Sequence, residues 1–287
     1  MIQDIFPLTL YNEYHSKTAG SEDTVLVFDG DRLLLSFDDA SGNIRFPKAR
    51  ELGTDLKTVY LFRIGPASGQ NKDLPDKEYY LLIPGDKDLS RSGYSFYTMK
   101  QIRAMKKSAD DLIFAAYTAY HLSVWYAANR YCGACGEKTH TDDRERALVC
   151  RKCGNRIYPR INPAVIVGVI NGDRMLITKY RTGYTHNALV AGFCEIGETL
   201  EQTVMREVME ETGIRVKNIR YYKSQPWGVA QDMLAGFYCE VDGDDTIRMD
   251  ESELKYASWV KREDIELQPG SASLTNEMMR VFKEGRI

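Results

Sequence analysis

GFCEIGETLEQTVMREVMEETGI, Gly192 to Ile214, is the stretch whose reading decides the fold. Thr199 with Gln202 three residues on is a capping-box start, and Gly213 suits a helix C-terminus, which predicts a helix of about thirteen residues between them. Leu200, Val204 and Val208 fall four apart and give that helix an apolar stripe. Glu207, Glu210 and Glu211 stand at i, i+3 and i+4 on another face, with Glu198 in the loop leading in. Like charges at this spacing repel by roughly 0.2–0.5 kcal/mol per pair, a penalty that a merely solvated face would dilute with lysine. Only Arg206 offsets them. Carboxylates clustered on a rigid helix beside a glycine-rich turn are what Mg²⁺ or Mn²⁺ needs: hard oxygen ligands that leave coordination positions for water and phosphate oxygens.

Working outward, the segment after Asn162-Pro163 is strand-rich. AVIVGVI, an Asn171-Gly172-Asp173 turn suited to a hairpin, and MLITKY come first, followed by the short strand ALVAGF. Beyond the acidic helix, IRYYKS, MLAGFYCEV, a strand near YASWV and a terminal helix complete an α/β/α arrangement. Upstream lies Cys132-Gly133-Ala134-Cys135, fourteen further residues, then Cys150-Arg151-Lys152-Cys153, with Gly136 and Gly154 after the second cysteine of each pair. Two such knuckles place four thiolates to close tetrahedrally on one Zn²⁺ at about 2.3 Å. A closed four-cysteine site is structural, because catalytic zinc keeps an open position. Residues 131–160 hold seven Lys/Arg against four Asp/Glu, and zinc-bound thiolates take back part of that excess, so any basic face is modest.

The first hundred residues read as strands: TVLVFD and RLLLSF flank Gly30 and Asp31, and TVYLFRI and EYYLLI follow. They form a β-rich region that ends in the apolar stretch Leu112–Ala128. That stretch lacks acidic and basic side chains, but it holds Thr118, His121 and Ser123 and is bracketed by Asp110, Asp111 and Arg130, which predicts a buried helix rather than a membrane span. His121 reads as a core or boundary residue without a catalytic partner. The expected modules are 1–130, 131–160 and 161–287. With 38 Lys+Arg against 41 Asp+Glu the net charge is −3, and hydrophobic residues make up 43 %, which excludes a disordered chain and a nucleic-acid coat protein. The start MIQDIFPLTLYNEYH lacks a basic region ahead of an apolar one, so a cytoplasmic location is expected. Cys194 and Cys239 stand apart from the cluster and read as small apolar residues.

The central stretch closely resembles the Nudix hydrolase box: G, five residues, E, seven residues, then R-E-apolar-x-E-E-x-G-apolar. Gly192, Glu198, Arg206, Glu207, Val208, Glu210, Glu211, Gly213 and Ile214 fill every specified position. Seven fixed identities at about 7 % each would coincide on the order of once in 10⁸ placements. The resemblance implies an α+β protein in which a Nudix α/β/α sandwich follows a zinc ribbon and a small β-rich N-terminal domain. It also implies hydrolysis of a nucleoside diphosphate linked to another group. Under it Glu207 and Glu211 hold metal, Glu210 is a ligand or general base, and Arg206 orients the glutamates through ion pairs.

A cysteine-pair ribbon immediately before a Nudix domain is similar to the NAD(H) diphosphatase subfamily, whose bacterial members also remove NAD caps from RNA. This likeness covers roughly residues 125–287 and includes a second motif, SQPWPFPxS. The chain has Ser224-Gln225-Pro226-Trp227 followed by Gly228-Val229-Ala230-Gln231-Asp232, so the first half matches and the second departs. The departure leaves preference among NADH, NAD⁺ and ADP-ribose open. By the same resemblance Tyr158 and Phe193 stack a nucleobase or nicotinamide ring, and Glu145, Gln225, Pro226 and Trp227 contact substrate. Ser273 offers a backbone contact, Glu253 is a further metal ligand, and the Ala191 carbonyl faces the same ion. The implied activity is metal-dependent cleavage of NAD(H) to nicotinamide mononucleotide and AMP by a homodimer with one structural zinc per chain, with NAD-capped RNA as a further substrate. A Nudix hydrolase of ADP-ribose or another conjugate is the alternative within enzymes. A non-catalytic nucleotide sensor is the alternative outside them, and the intact box opposes it.

Overall fold

The computed structural model describes residues 1–83, 93–105, 109–183, 186–270 and 272–287. Its contacts divide the chain into one unit of Gln3–Arg160 with Gly228–Gln231, and another of Met1–Ile2, Ile161–Trp227 and Asp232–Ile287.

In the first unit the expected strands form. They are joined by short elements that carry too few residues to show a period in the sequence. In chain order these are β1 (Leu8–Tyr11), β2 (Thr24–Leu26), β3 (Phe28–Asp29), β4 (Arg32–Asp38), β5 (Asn43–Arg45), α1 (Ala49–Leu52), β6 (Thr58–Pro66), β7 (Lys77–Leu82), β8 (Ser95–Thr98), α2 (Met99–Ala104) and α3 (Asp110–Ala128). One sheet runs β1-β6-β7-β2; in the other, β4 joins β3, β5 and β8. Helix α3 is the apolar stretch. Phe114, Ala115, Ala116, Tyr117, Ala119, Trp125 and Tyr126 are buried around much of its circumference, which explains why it shows no clean polar face. No helix among the described residues is long and apolar enough to cross a membrane. His121 has a structural partner, its Nε2 lying 2.8 Å from the Arg160 carbonyl oxygen.

The cysteine segment contributes β9 (Thr139–Thr141), β10 (Leu148–Cys150) and β11 (Arg156–Ile157), a small antiparallel sheet in the order β11-β10-β9. It is anchored to the β-rich region by Arg146, which donates to the Leu61 carbonyl and to Asn12 and lies 5.5 Å from the Tyr14 ring centre. Burial holds this guanidinium below its ordinary pKa.

The second unit contains β12 (Asn162–Asn171), β13 (Arg174–Tyr180), β14 (Val190–Phe193), α4 (Leu200–Thr212), β15 (Val216–Trp227), β16 (Asp232–Val241), β17 (Leu254–Lys261) and α5 (Leu274–Lys283). Its sheet runs β15-β16-β12-β13-β17, with β14 paired to β12. Strand β12 is covered on both faces, which accounts for its unbroken apolar run. Val165, Val167 and Val169 join Val204 and Val208 of α4 in one core. Ile166 joins Leu274, Met278, Met279 and Phe282 of α5 in another. This is the expected α/β/α sandwich. The pairs Ile170–Met175 and Asn171–Arg174 leave Gly172-Asp173 as a two-residue hairpin loop. Strand β15 is longer than IRYYKS suggested, because its antiparallel pairing to β16 continues through Ser224, Gln225 and Pro226 to the Trp227–Asp232 pair.

Candidate active site and zinc centre

Helix α4 forms as its caps dictate. Thr199 Oγ1 accepts from the Gln202 amide at 3.2 Å, Gln202 Oε1 accepts from the Thr199 amide at 2.8 Å, and Gly213 closes the last turn in the left-handed region with its N–H on the Met209 carbonyl at 2.8 Å. With Val204 and Val208 buried in the core, the helix is fixed in rotation, and its glutamates turn toward β14 and the loop before the helix.

Gly192 shows how tight that approach is. A Cβ built there would lie 2.1 Å from the Glu207 carboxyl carbon and Oε1, so the glutamate rests against the bare backbone of β14. Arg206 organises the remaining acids. Its Nε and Nη2 fork onto Glu198 at 2.6 and 2.9 Å, its Nη2 also donates to the Phe193 carbonyl at 2.9 Å, and its Nη1 reaches Glu207 at 2.7 Å and Glu210 at 3.0 Å. Glu198 also accepts from the Glu195 amide and from Thr203 Oγ1. Hydrogen bonds from Arg206, joined by the Glu195 amide, hold its carboxyl down to about 2. Arg206 is raised above its ordinary pKa chiefly by its bonds to Glu198. Glu207 is raised by burial, against the pull of Arg206. Glu210 is the exposed member of the set.

Glu211 differs from all of these. It is 2 % exposed, and neither carboxylate oxygen has a hydrogen-bond partner. Burial, then the charges of Glu207 and Glu253, push it up to about 8; the Ala191 amide opposes this but stops short of a hydrogen bond. The loop that brings Glu253 alongside is tied to the end of α4, where Asp250 N donates to the Glu211 carbonyl and Arg248 N to the Thr212 carbonyl. It is tied also to β13, where Arg181 N donates to the Glu253 carbonyl at 2.8 Å. Tyr180, at the end of β13, is raised by burial and by Glu211, Glu207 and Glu253, which places it in the same recess. Nothing in the sequence marked Tyr180, because only the pairing of β13 with β17 brings it there.

An unpaired, buried carboxylate among further acids fits a divalent cation by donor chemistry, since its two hard oxygens lack any protein donor. Among the described residues, only the four cysteine sulfurs form a set of three or more acid, histidine or thiol ligand atoms within 4.8 Å of one another. No three of the described glutamates bring their carboxylate oxygens within that mutual distance.

The four sulfurs fit zinc. Cys132 and Cys153 are 3.6 Å apart and Cys135 and Cys150 are 3.5 Å apart, close to the edge of about 3.8 Å of a tetrahedron with 2.3 Å zinc–sulfur bonds. Gly136 and Gly154 take φ of +75° and close matching turns on the Cys132 and Cys150 carbonyls, which is why glycine follows each pair. Ala134 N and Asn155 Nδ2 donate to Cys132 Sγ, and the Ala134 amide leads in lowering that thiol to about 6.

The expected substrate residues divide. On the ribbon, Glu145 Oε1 accepts from the Tyr158 hydroxyl at 2.9 Å and from Arg156 at 2.6 Å, so half-buried Glu145 and exposed Tyr158 stand together. In the sandwich, Phe193 is half exposed with its carbonyl held by Arg206, while Pro226 and Trp227 are half-buried at the end of β15. Gln225, expected to contact substrate, has its side chain turned inward. It is fully buried, its amide donating to the Ala272 carbonyl at 2.7 Å and accepting from Leu274 N at 2.8 Å. Ser273 caps α5, its Oγ accepting from Asn276 N and donating to Gln268. Cys239 is buried in the sandwich core and Cys194 packs at its edge.

Residues 160–281, which hold the sandwich, the box helix and its carboxylates, match the NUDIX domain family. Residues 127–158 match the NADH pyrophosphatase zinc ribbon domain. Along these two stretches the chain is similar to Nudix proteins that carry this ribbon. Over 161 residues it is 40 % identical to the NAD-capped RNA hydrolase NudC of Shigella flexneri and to that of Escherichia coli O9:H4 (strain HS). Each match covers 55 % of this chain and 62 % of the relative, so the chain spans less than two thirds of the length of these relatives. Among solved structures, a Nudix hydrolase from Nitrosomonas europaea aligns over 55 % of this chain and 92 % of its own, with 21 % identity and a TM-score of 0.48.

Proposed function

We propose that this chain is a Nudix pyrophosphohydrolase that splits NAD(H) into nicotinamide mononucleotide and AMP, with NAD-capped RNA ends as a second substrate class. The observation that carries the reading is the buried, unpartnered Glu211 carboxylate, ringed by acids that Arg206 holds in place, in a chain whose ribbon is of the NADH pyrophosphatase type. Glu207, Glu211, Glu253 and the Ala191 carbonyl would hold Mg²⁺ or Mn²⁺, which supplies charge neutralisation at the diphosphate and an activated water. Arg206 keeps Glu207 from turning away, and its fork on Glu198 fixes the loop before the helix. Glu210 is exposed, with one oxygen on Arg206, and is the carboxylate free to take a proton from an attacking water.

Phe193 and Tyr158 offer exposed rings for stacking, Glu145 is a polar contact, and Pro226 and Trp227 form wall. Gln225 and Ser273 shape the start of α5 rather than presenting side chains to substrate. One Zn²⁺ on Cys132, Cys135, Cys150 and Cys153 is structural. The modules 1–130, 131–160 and 161–287 remain our division of the chain. A homodimer is supported by Ile196, Met205 and Met209, large apolar side chains exposed on α4 and the loop before it. Reduced, metal-ready thiols suit a cytoplasmic setting.

The deciding assay offers NADH, NAD⁺, ADP-ribose and NAD-capped RNA to the whole chain with Mg²⁺ or Mn²⁺ and resolves the products chromatographically. Nicotinamide mononucleotide and AMP from NADH, lost in Glu211→Gln, is the expected result. Turnover of ADP-ribose alone would replace the substrate, and binding without turnover would make the chain a sensor.

A further inference from the structure

Asp232 opens β16 where the chain departs from SQPWPFPxS. It is 6 % exposed, and its Oδ1 is buried without a hydrogen-bond partner. Strand register fixes its neighbours: Asp232 pairs with Asn162 on one side and Trp227 on the other. Two residues along the same three strands, Leu234 pairs with Ala164 and Gln225, and Ala164 pairs in turn with Phe193 on β14. Residues opposite one another, and residues two apart, share a sheet face. Phe193, Gln225, Trp227 and Asp232 therefore lie on one face, the α5 side, where Leu234 packs and where Gln225 meets Leu274. Neighbouring strands are about 4.8 Å apart, so Asp232 stands next to Trp227 on that face.

A buried carboxylate oxygen with no donor destabilises the fold unless a proton or a ligand satisfies it, and burial also raises this carboxyl to about 7. A carboxylate offers acceptors only, and adjacent sugar hydroxyls offer two donors at a matching spacing; this is the basis on which acids select a ribose with free hydroxyls over one carrying a phosphate. We propose that Asp232 is a specificity-determining residue that accepts hydrogen bonds from the hydroxyls of a substrate ribose and disfavours substrates in which those hydroxyls are phosphorylated. The proposal rests on reading the site as one for nucleoside diphosphates.

The test is calorimetry on the whole chain with Mg²⁺ present, comparing wild type with Asp232→Ser and Asp232→Asn. The probes are AMP and nicotinamide mononucleotide, each with its 2′-deoxy and 3′-deoxy analogue, and adenosine 2′,5′-bisphosphate. In one mononucleotide series the wild type should lose about tenfold in affinity on removal of a hydroxyl, and the variants, which offer one neutral acceptor oxygen in place of two charged ones, should lose several-fold less, a coupling that a merely structural residue would not give. If AMP is that series, wild type should bind adenosine 2′,5′-bisphosphate more weakly than AMP, and Asp232→Ser should narrow the gap. Both variants lose an unsatisfied buried charge and should melt no lower than wild type. Absence of coupling in both series overturns the proposal, as does absence of measurable binding of either mononucleotide to the wild type. Coupling without NADH hydrolysis would sink the functional reading and leave Asp232 standing; hydrolysis without coupling would do the reverse.

Discussion

Replacing Glu211 with glutamine should make the protein more stable in a chelating buffer while removing its response to Mg²⁺. The unfolded carboxyl titrates near its ordinary value of 4.5, whereas the folded one is pushed up to about 8 by burial and by Glu207 and Glu253. Between these pH values the folded chain keeps a proton that the unfolded chain has lost, so stability falls as pH rises across that window. Each pH unit is worth about 1.4 kcal/mol, giving a loss of roughly 2 kcal/mol by pH 6, 3 by pH 7 and 5 by pH 8. Glutamine removes this dependence but leaves a buried neutral amide, a penalty of about 1–3 kcal/mol. The variant should therefore match wild type near pH 6 and exceed it by about 2–4 kcal/mol at pH 8. Urea unfolding in EDTA at the two pH values measures both numbers. Added Mg²⁺ should then stabilise wild type by mass action and leave the variant unmoved. A Glu211→Gln protein less stable than wild type at pH 8, or one with the same pH slope, would refute the argument that this carboxylate is an unsatisfied charge awaiting a cation.

Three further outcomes follow from the same geometry. Gly192→Ala places a methyl group 2.1 Å from the Glu207 carboxylate and should lower kcat/KM about 100-fold by moving that acid, with little change in thermal stability; activity and melting curves on one preparation check it. Cys150→Ser opens the ribbon at a fully buried sulfur, so bound zinc measured by mass spectrometry should fall from one per chain to none, and the 131–160 segment should lose hydrogen-exchange protection. Arg206→Lys cannot fork onto Glu198 while holding the Phe193 carbonyl, so Glu198 should titrate well above its value of about 2 by NMR. The stability that this depressed carboxyl supplies above the unfolded value of 4.5 should shrink correspondingly.

What was legible in the sequence was local. The caps and stripe of α4, the hairpin turn at Gly172 and the two cysteine knuckles are each set by residues within a few positions of one another, and the structure has all of them. Elements of three or four residues such as α1 and β5 left no period to read. The strand pattern IRYYKS stops at Ser224, whereas the end of β15 is set by its pairing with β16. Other features were invisible because they depend on residues distant in the chain. Glu211 is met by residues far along the chain, with Asp250 N on its carbonyl and the charge of Glu253 acting on its carboxylate. Gln225 spends its amide on Ala272 and Leu274, almost fifty residues later. Tyr180 joins the acids only through sheet register.

Glu211 and Asp232 together show how the sandwich is used. Both are nearly inaccessible carboxylates with unpaired oxygens, and both are raised chiefly by burial. They serve different faces of the sheet: Glu211 belongs to α4, whose core lies on one side of β12, and Asp232 shares the α5 side with Leu234. Natural interiors seldom leave such groups unsatisfied, because each costs several kcal/mol that the fold must offset elsewhere. Ordinary packing cannot supply the missing partner in either place, since a neighbouring lysine or arginine would neutralise the charge permanently and leave nothing for a ligand to do. Glu198 illustrates the alternative, for the Arg206 fork, the Glu195 amide and Thr203 Oγ1 together satisfy its two oxygens. Among the described residues these are the buried carboxylates with oxygens left unpaired, one suited to a cation and the other to hydroxyl donors. Under the proposed function, a substrate with a metal-bound diphosphate between ribosyl groups would supply both.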